Sequence, residues 1–292
     1  MIHVWDPATD RERLFGSGHR KSVGAVAVSV DGRRVASAAL DGIRLWDLEP
    51  GREVRRFADG EFCDAVAFSP DGKVLAGVHK RSVTLWDSAT GGIKLNLQSE
   101  GRNVTGVAFA PDGKAFYTAD FDSIEQWDVK SGKRLRRFEV RPSEPYDGFS
   151  RLPPPLSNLT VSPDGSTVCV ADVAKVRLWN VGTGKEDLRL AENLTSPVAF
   201  SPGGRLMVCD RGNDDVCFWD VASAKEVGSV KLGIGQARHS FAFAPDGRAV
   251  AAACDDGVVR VWSCPGGVEL AAFRGHRGSP SCVAYTPDGK AL

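Results

Sequence analysis

His19, Ser37 and Asp41 are the residue types of a nucleophilic hydrolase site. An imidazole set between a hydroxyl and a carboxylate can draw the hydroxyl proton, while the carboxylate holds the ring in one tautomer. The surroundings of Ser37 oppose that use. It lies inside the strand-like run Val35 to Ala39, and no G-x-S-x-G turn presents it. Other reactive groups are scattered. Asp214-Asp215 and Asp255-Asp256 fall at turns and read as turn formers rather than paired catalytic carboxylates. The five histidines (3, 19, 79, 239 and 276) show no metal-ligand spacing with cysteine or with one another. The glycines are turn residues, not a phosphate loop. The sequence therefore predicts no catalytic residue, no metal and no cofactor.

The elements that carry these residues are repeats. Residues 65–87 read as a strand, a Pro70-Asp71-Gly72 turn, a second strand (Val74 to Val78), a polar turn and a third strand ending in Trp86-Asp87. Trp5, Trp46, Trp86, Trp127, Trp179, Trp219 and Trp262 are spaced by 41, 40, 41, 52, 40 and 43 residues. The tight turn recurs as Val30-Asp31-Gly32 and at Pro70, Pro111, Pro163, Pro202, Pro245 and Pro287. Two independent markers share one period of about forty residues.

On V-A-F-S-P-D-G at 66–72, F-A-F-A-P-D-G at 241–247, D-D-G-V-V-R-V-W at 255–262, I-R-L-W-D at 43–47 and the Gly-His pairs at 18–19 and 275–276, the chain resembles the WD40 repeat family over essentially its whole length. The resemblance implies an all-β, seven-bladed β-propeller with four-stranded antiparallel blades around a channel. It also implies that His19, Ser37, Asp41 and Trp46 are a structural tetrad in which indole, hydroxyl, imidazole and carboxylate bond in series. Ala252 and Gly77 stand where the serine would be in other repeats, so tryptophan burial carries more of the load there. Each buried indole contributes up to roughly 4–6 kcal/mol.

The expected organisation is one domain over 1–292. Ile2 to Trp5 reads as a third strand and Asp10 to Phe15 as a fourth, while Ser281 to Thr286 reads as a first strand. The seventh blade would then be 1–17 plus 277–292. Fifteen residues separate Pro70 from Trp86, but only nine bridge Pro287 and Trp5, so most of that blade's second strand is expected to be absent. A chain that is a segment of a longer polypeptide, or one that closes weakly, would account for this. The stretch 139–159 is inserted relative to the period, is rich in proline, and is expected on the top face. It reads either as a tolerated surface loop or as a recognition loop.

Lysine plus arginine equals aspartate plus glutamate at 37 each, which argues against a nucleic-acid or membrane-surface role. No signal-like leader or long apolar run is present, and the seven unpaired cysteines read as reduced and buried, giving a cytoplasmic expectation. The basic fourth strands, R-E-V-R-R-F at 52–57 and K-R-L-R-R-F at 133–138, read as charged edges that block strand pairing, or as a grip for an acidic partner. The leading reading is a monomeric, non-enzymatic scaffold for protein or peptide partners. Its candidate contact residues are Tyr146, Phe149, Arg151, Lys80, Arg81, Asp122, Arg211 and Asp255. The alternatives are the sensing or regulatory domain of a longer signalling enzyme, and a propeller enzyme acting at its channel.

Overall fold

The computed structural model describes residues 2–9, 11–14, 18–58, 60–99, 103–140, 156–171, 175–187, 194–211, 215–231, 238–276 and 278–292. The regular elements among them are all β-strands. β1 (His3–Asp6) pairs antiparallel with β2 (Arg11–Leu14). Blade 1 is the meander β3 (Val23–Val28), β4 (Arg34–Ala39), β5 (Gly42–Asp47) and β6 (Arg52–Phe57). Blades 2 to 6 repeat this order over 66–98, 106–139, 157–187, 194–231 and 238–274. The chain is thus an all-β propeller of four-stranded antiparallel blades.

Composition along each blade follows from what covers it. Second strands are buried on both faces and are near-continuous apolar runs of small residues, such as Ala249–Cys254 (AVAAAC). Outer strands are covered on one face only and alternate, as in β6 (REVRRF). The first strands lie side by side in succession from blade 1 to blade 6 and form the inner wall.

The core is divided among the sheet interfaces. Trp86 packs on Ile43 and Leu45 of blade 1, Trp127 beside Phe116 on blade 2, and Trp179 on Tyr117 and Ile124 of blade 3. Trp219 and Trp262 repeat the arrangement on blades 4 and 5. Trp5 and Leu292 pack on Val259 and Val261 of blade 6, while Val4, Ile2 and Ala291 meet Val35 and Trp46 of blade 1.

The tight turns are wired alike. Ser69 Oγ donates to Asp71 Oδ1 (2.6 Å) and accepts the Val74 amide (2.9 Å), and Asp71 Oδ1 also accepts the Lys73 amide (3.0 Å). The same three bonds recur around Ser29, Ser162 and Thr286. Each turn's glycine, at positive φ, lies against the preceding turn. A Cβ on Gly165 would stand 3.4 Å from Pro111 Cδ, and one on Gly32 would stand 3.4 Å from Pro287 Cδ. The latter contact joins the first turn of the chain to the last.

Two expectations need correction. The described residues form six four-stranded blades and one two-stranded sheet, where seven blades were expected with the seventh lacking most of its second strand. Residues 281–286 are not a strand; of their amides Thr286 N–H donates to Ala291 O (2.9 Å). The Trp5 amide donates to Leu292 O and the Leu292 amide to Trp5 O, each at 2.9 Å.

The turn carboxylates make stability depend on pH. Hydroxyl bonds from Ser29, Ser69 and Ser162, followed by backbone amides, hold Asp31, Asp71 and Asp164 below the ordinary carboxylate value; at Asp288 the Lys290 amide leads, then Thr286. Depressed folded values mean the stabilisation is present above the unfolded value and lost as pH falls through the folded one. The thermal midpoint should fall between about pH 5 and about pH 2. Replacing Asp71, Asp164 and Asp288 together by Asn should flatten that fall, as measured by calorimetry across this range.

Candidate functional site

Backbone hydrogen bonds sort the loops into two faces. On one, each turn between second and third strands is tied to the connection leaving the fourth strand: Gly60 to Asp41 (3.2 Å), Val104 to Lys80 (2.7 Å) and Val140 to Asp122 (2.7 Å). We call this the top face. On the other, the first turn is tied to the third-to-fourth turn, as in Leu48 to Arg33 (2.8 Å) and Val129 to Lys114 (2.9 Å).

His19, Ser37, Asp41 and Trp46 meet in one chain of hydrogen bonds below the top face. Trp46 Nε1 donates to Ser37 Oγ (2.8 Å), Ser37 lies 2.8 Å from His19 Nε2, and His19 Nδ1 lies 2.6 Å from Asp41 Oδ1. With the indole as donor, the hydroxyl proton points to Nε2 and the other ring proton to the carboxylate. Burial alone would raise Asp41, but the Arg20 amide and the imidazole outweigh it and hold the carboxylate below its ordinary value. Ser37 is 0% exposed, so no substrate carbonyl reaches its oxygen. The arrangement locks strands together and does not attack.

Sequence reasoning missed a relative of this network. Trp127 Nε1 donates to Thr118 Oγ1 (3.0 Å), the threonine standing where blade 1 has Ser37. In blade 5 Cys209 holds that position, and Trp219 Nε1 is buried with no hydrogen-bond partner among the described residues.

A second missed pattern is a set of opposite charges nine residues apart that bracket the tryptophan. Arg44 Nη1 donates to Glu53 (2.6 Å), Arg134 Nη1 to Glu125 (2.8 Å) and Arg177 Nε to Glu186 (2.7 Å), and His3 meets Glu12. Each pair crosses from third to fourth strand, and blade 3 carries the charges reversed. The signal was present in the spacing. The basic fourth strands are also employed internally: Arg55 Nη2 donates to Ala89 O and Arg136 Nη1 to Gly182 O, both at 3.1 Å, each stapling the next blade's turn. Arg137 reaches Glu139 (2.9 Å) and Glu125 (3.5 Å).

The candidate contact residues divide. Tyr146, Phe149 and Arg151 lie outside the described residues, although flanking Val140 and Leu156 are buried and bonded to the Asp120–Asp122 turn. Lys80 and Arg81 are exposed at the top of blade 2, and Lys80 has a positive φ. Asp122 is within 3.5 Å of Arg137, and Arg211 is held by Glu226, which keeps its guanidinium charged against the cost of burial. Asp255 is exposed, its carbonyl accepting Ser279 Oγ (2.8 Å). Of the carboxylate pairs, Asp214 lies outside the described residues and Asp256 binds Arg260. The sequence did not single out Leu40 and Phe62, which are 48% and 37% exposed on top-face connections of blade 1.

Cys63 Sγ lies 2.9 Å from His79 Nδ1 and resembles a thiol–imidazole dyad. Burial, with Glu61 and Asp64, pushes the thiol up to about 12, and burial pushes His79 down. Both groups stay neutral, the opposite of an activated thiolate. Among the described residues all seven cysteines are free and no cluster of three metal-ligating side chains occurs.

Removing the Ser37 hydroxyl by Ser37→Ala should cost about 1–3 kcal/mol, because it leaves a buried indole N–H and an imidazole unpaired. Cys209→Ser should move the other way by about 0.5–1.5 kcal/mol, by giving Trp219 an acceptor. Urea unfolding of both variants checks the opposite signs.

Comparison with known proteins agrees with this geometry. The lipoprotein LpqB β-propeller domain model matches residues 57–210, and the WD domain, G-beta repeat model matches 12–47 and 236–263. The serine-threonine kinase receptor-associated protein of Dictyostelium discoideum is 26% identical over 96% of this chain and 94% of its own length. The autophagy-related protein 16 of Arabidopsis thaliana is 30% identical over 75% of this chain, which spans 43% of that protein. The small ribosomal subunit protein RACK1y of Oryza sativa subsp. japonica is 36% identical over 30% of this chain and 26% of its own length. Its repeats, its stacked sheets and both propeller models place this chain among β-propeller domains, and it belongs to the WD40 repeat family.

Proposed function

We propose that this chain is a non-enzymatic scaffold that binds protein or peptide partners through its top face and rim. One observation carries the reading. On the top of blades 1 and 2, exposed Leu40 and Phe62 sit beside backbone bonds that join the connection between the blades to both, Cys63 N–H to Ala39 O and Asp64 N–H to Val78 O (each 3.2 Å). The strand of Val78 leads to exposed Lys80 and Arg81, whose side chains have no partner among the described residues. An aromatic anchor on the same face as uncommitted cations suits a protein partner with an apolar residue and carboxylates. Most arginines of the outer strands are by contrast committed to neighbouring carboxylates and carbonyls. A relative named for its association with a receptor kinase supports the same reading.

In this reading the chain is one domain, its seventh blade is built from β1, β2 and residues 278–292, and the 139–159 insertion stands on the top face as part of the recognition surface. The domain acts as a cytoplasmic monomer, with its cysteines reduced, and uses neither nucleic acid nor membrane. A propeller of this type also serves as one part of a longer chain, as the 43% coverage of the plant relative illustrates.

The test compares what the immobilised chain captures from cell extract in three forms: unaltered, Lys80→Glu with Arg81→Glu, and Lys73→Glu with Lys114→Glu on the opposite face. Proteins retained by the unaltered chain and by the opposite-face variant should fall at least about tenfold in the top-face variant. Equal capture by all three would remove the top face from the proposal.

A further inference from the structure

A sheet whose last strand has an open edge must keep that edge from pairing with another chain, and charge or glycine on the strand does so. The outer strands of blades 1 and 3 carry neighbouring arginines in REVRRF over 52–57 and RLRRFE over 134–139. That of blade 2 carries Lys94, that of blade 4 carries Glu186 and Asp187, and that of blade 5 has Gly228 in its middle. Blade 6 departs from this. Its outer strand, Glu269–Arg274 (ELAAFR), has no charge from Leu270 to Phe273. Leu270 and the preceding Val268 are 58% and 63% exposed.

The two ends of this strand carry charges that the blade does not use. In blades 1, 3, 4 and 5 the residue facing the tryptophan from the outer strand is Glu53, Arg134, Glu186 or Glu226. Each is held, by Arg44, Glu125, Arg177 and Arg211 in turn. In blade 6 this residue is Glu269, and the arginine two before the tryptophan, Arg260, turns instead to Asp256 (2.9 Å). Glu269 and Arg274 are exposed, and their side chains make no hydrogen bond or ion pair among the described residues.

The ladder fixes which backbone groups face outward. In blade 3 the Val140 amide donates to Asp122 O (2.7 Å), and this sets the phase: Arg136 and Phe138 turn N–H and C=O inward, Arg137 and Glu139 outward. The equivalent residues of blade 6 are Ala271 and Phe273 inward, Ala272 and Arg274 outward. Ala272 therefore offers a donor and an acceptor at the middle of a small, uncharged edge. Glu269, Ala272 and Arg274 also share the sheet face of Trp262, Arg260 and Val258, because a bulge at Leu270 shifts the alternation. A two-fold axis at Ala272 would set two such strands antiparallel, with Ala272 of one copy bonded to Ala272 of the other. Arg274 of each copy would stand opposite Leu270 of the other and beside its Glu269. Opposite charges then meet at both ends. The same operation would oppose Arg56 to Arg56 in blade 1 and Arg137 to Arg137 in blade 3.

We infer that the outer strand of blade 6 is a docking edge for the same strand of a second copy of this chain. Backbone bonds at Ala272 and two Glu269–Arg274 pairs join the copies, and the stem of each Arg274 lies over Leu270. Six residues a side bury less than the roughly 1,200 Å² from which stable interfaces start, so the pair is weak and the dilute chain remains single. The pairing goes beyond the top-face reading and does not depend on it.

The test is sedimentation equilibrium of the 292-residue chain from about 1 μM to about 1 mM, in low salt so that the charges are not screened. The average mass should rise toward that of two chains. Ala272→Lys, which sets like charges on the axis, should weaken association at least about tenfold, with circular dichroism showing that the variant is folded. Glu269→Arg alone and Arg274→Glu alone place like charges at both ends and should each weaken it. An equimolar mixture of these two variants places opposite charges at both ends and should restore it. A single-chain mass over the whole range would overturn the proposal, as would association that Ala272→Lys leaves unchanged. A mixture no better than either variant alone would overturn the two-fold register. A chain that stays single, but whose Ala272 amide is protected from exchange by the peptide acetyl-Glu-Leu-Ala-Ala-Phe-Arg-amide, would overturn the second copy in favour of an extended peptide as the occupant.

Discussion

The structure depends on the burial of one sheet face against the next, with a tryptophan from each following sheet filling the gap. A four-stranded antiparallel sheet of small residues cannot hide both faces of its second and third strands by itself. Ala36 and Ala38 are covered by the blade that brings Trp86, and Trp46 is covered by Val4 of the two-stranded sheet and by Ile2 just before it. Each face is satisfied only because its neighbour is present. The ring of turn contacts, in which Gly32 meets Pro287, follows from that requirement.

Polar groups inside this stack are tolerated where they are paired. The indole of Trp46 finds Ser37, that of Trp127 finds Thr118, and the charged residue two before the tryptophan finds its opposite on the outer strand. Arg177 also lies over the Trp179 ring at 5.5 Å, which places a cation against the negative face of the indole. Trp219 shows the cost of losing the pattern, since its N–H is buried beside a cysteine. The same residue types that could do hydrolysis, His, Ser and Asp, are here consumed in satisfying one another. What decides between chemistry and support is access, and Ser37 has none.

Much of this was legible in the residues. The strand-turn-strand period, the tryptophan register and the His19 network are local patterns, because the turn fixes the offset between a second-strand residue and its tryptophan. The charge pairs nine residues apart were equally local and could have been found by scanning for opposite signs around each tryptophan. Thr118 was legible too, since it falls at the position of Ser37. Leu40 and Phe62 were not, because a sequence gives no measure of how far a turn residue stands clear of its neighbours.

The sequence by itself determined the kind of sheet, the order of strands within a repeat and the residues facing each interface, since all of these follow from spacing along one strand or across one tight turn. Only the tertiary structure decided that residues 281–286 do not form a strand, that Gly32 rests on Pro287, and that Arg55 and Arg136 staple the next blade rather than stand free. These are relations between segments far apart in the chain. They depend on how the sheets meet in space, which no local spacing encodes.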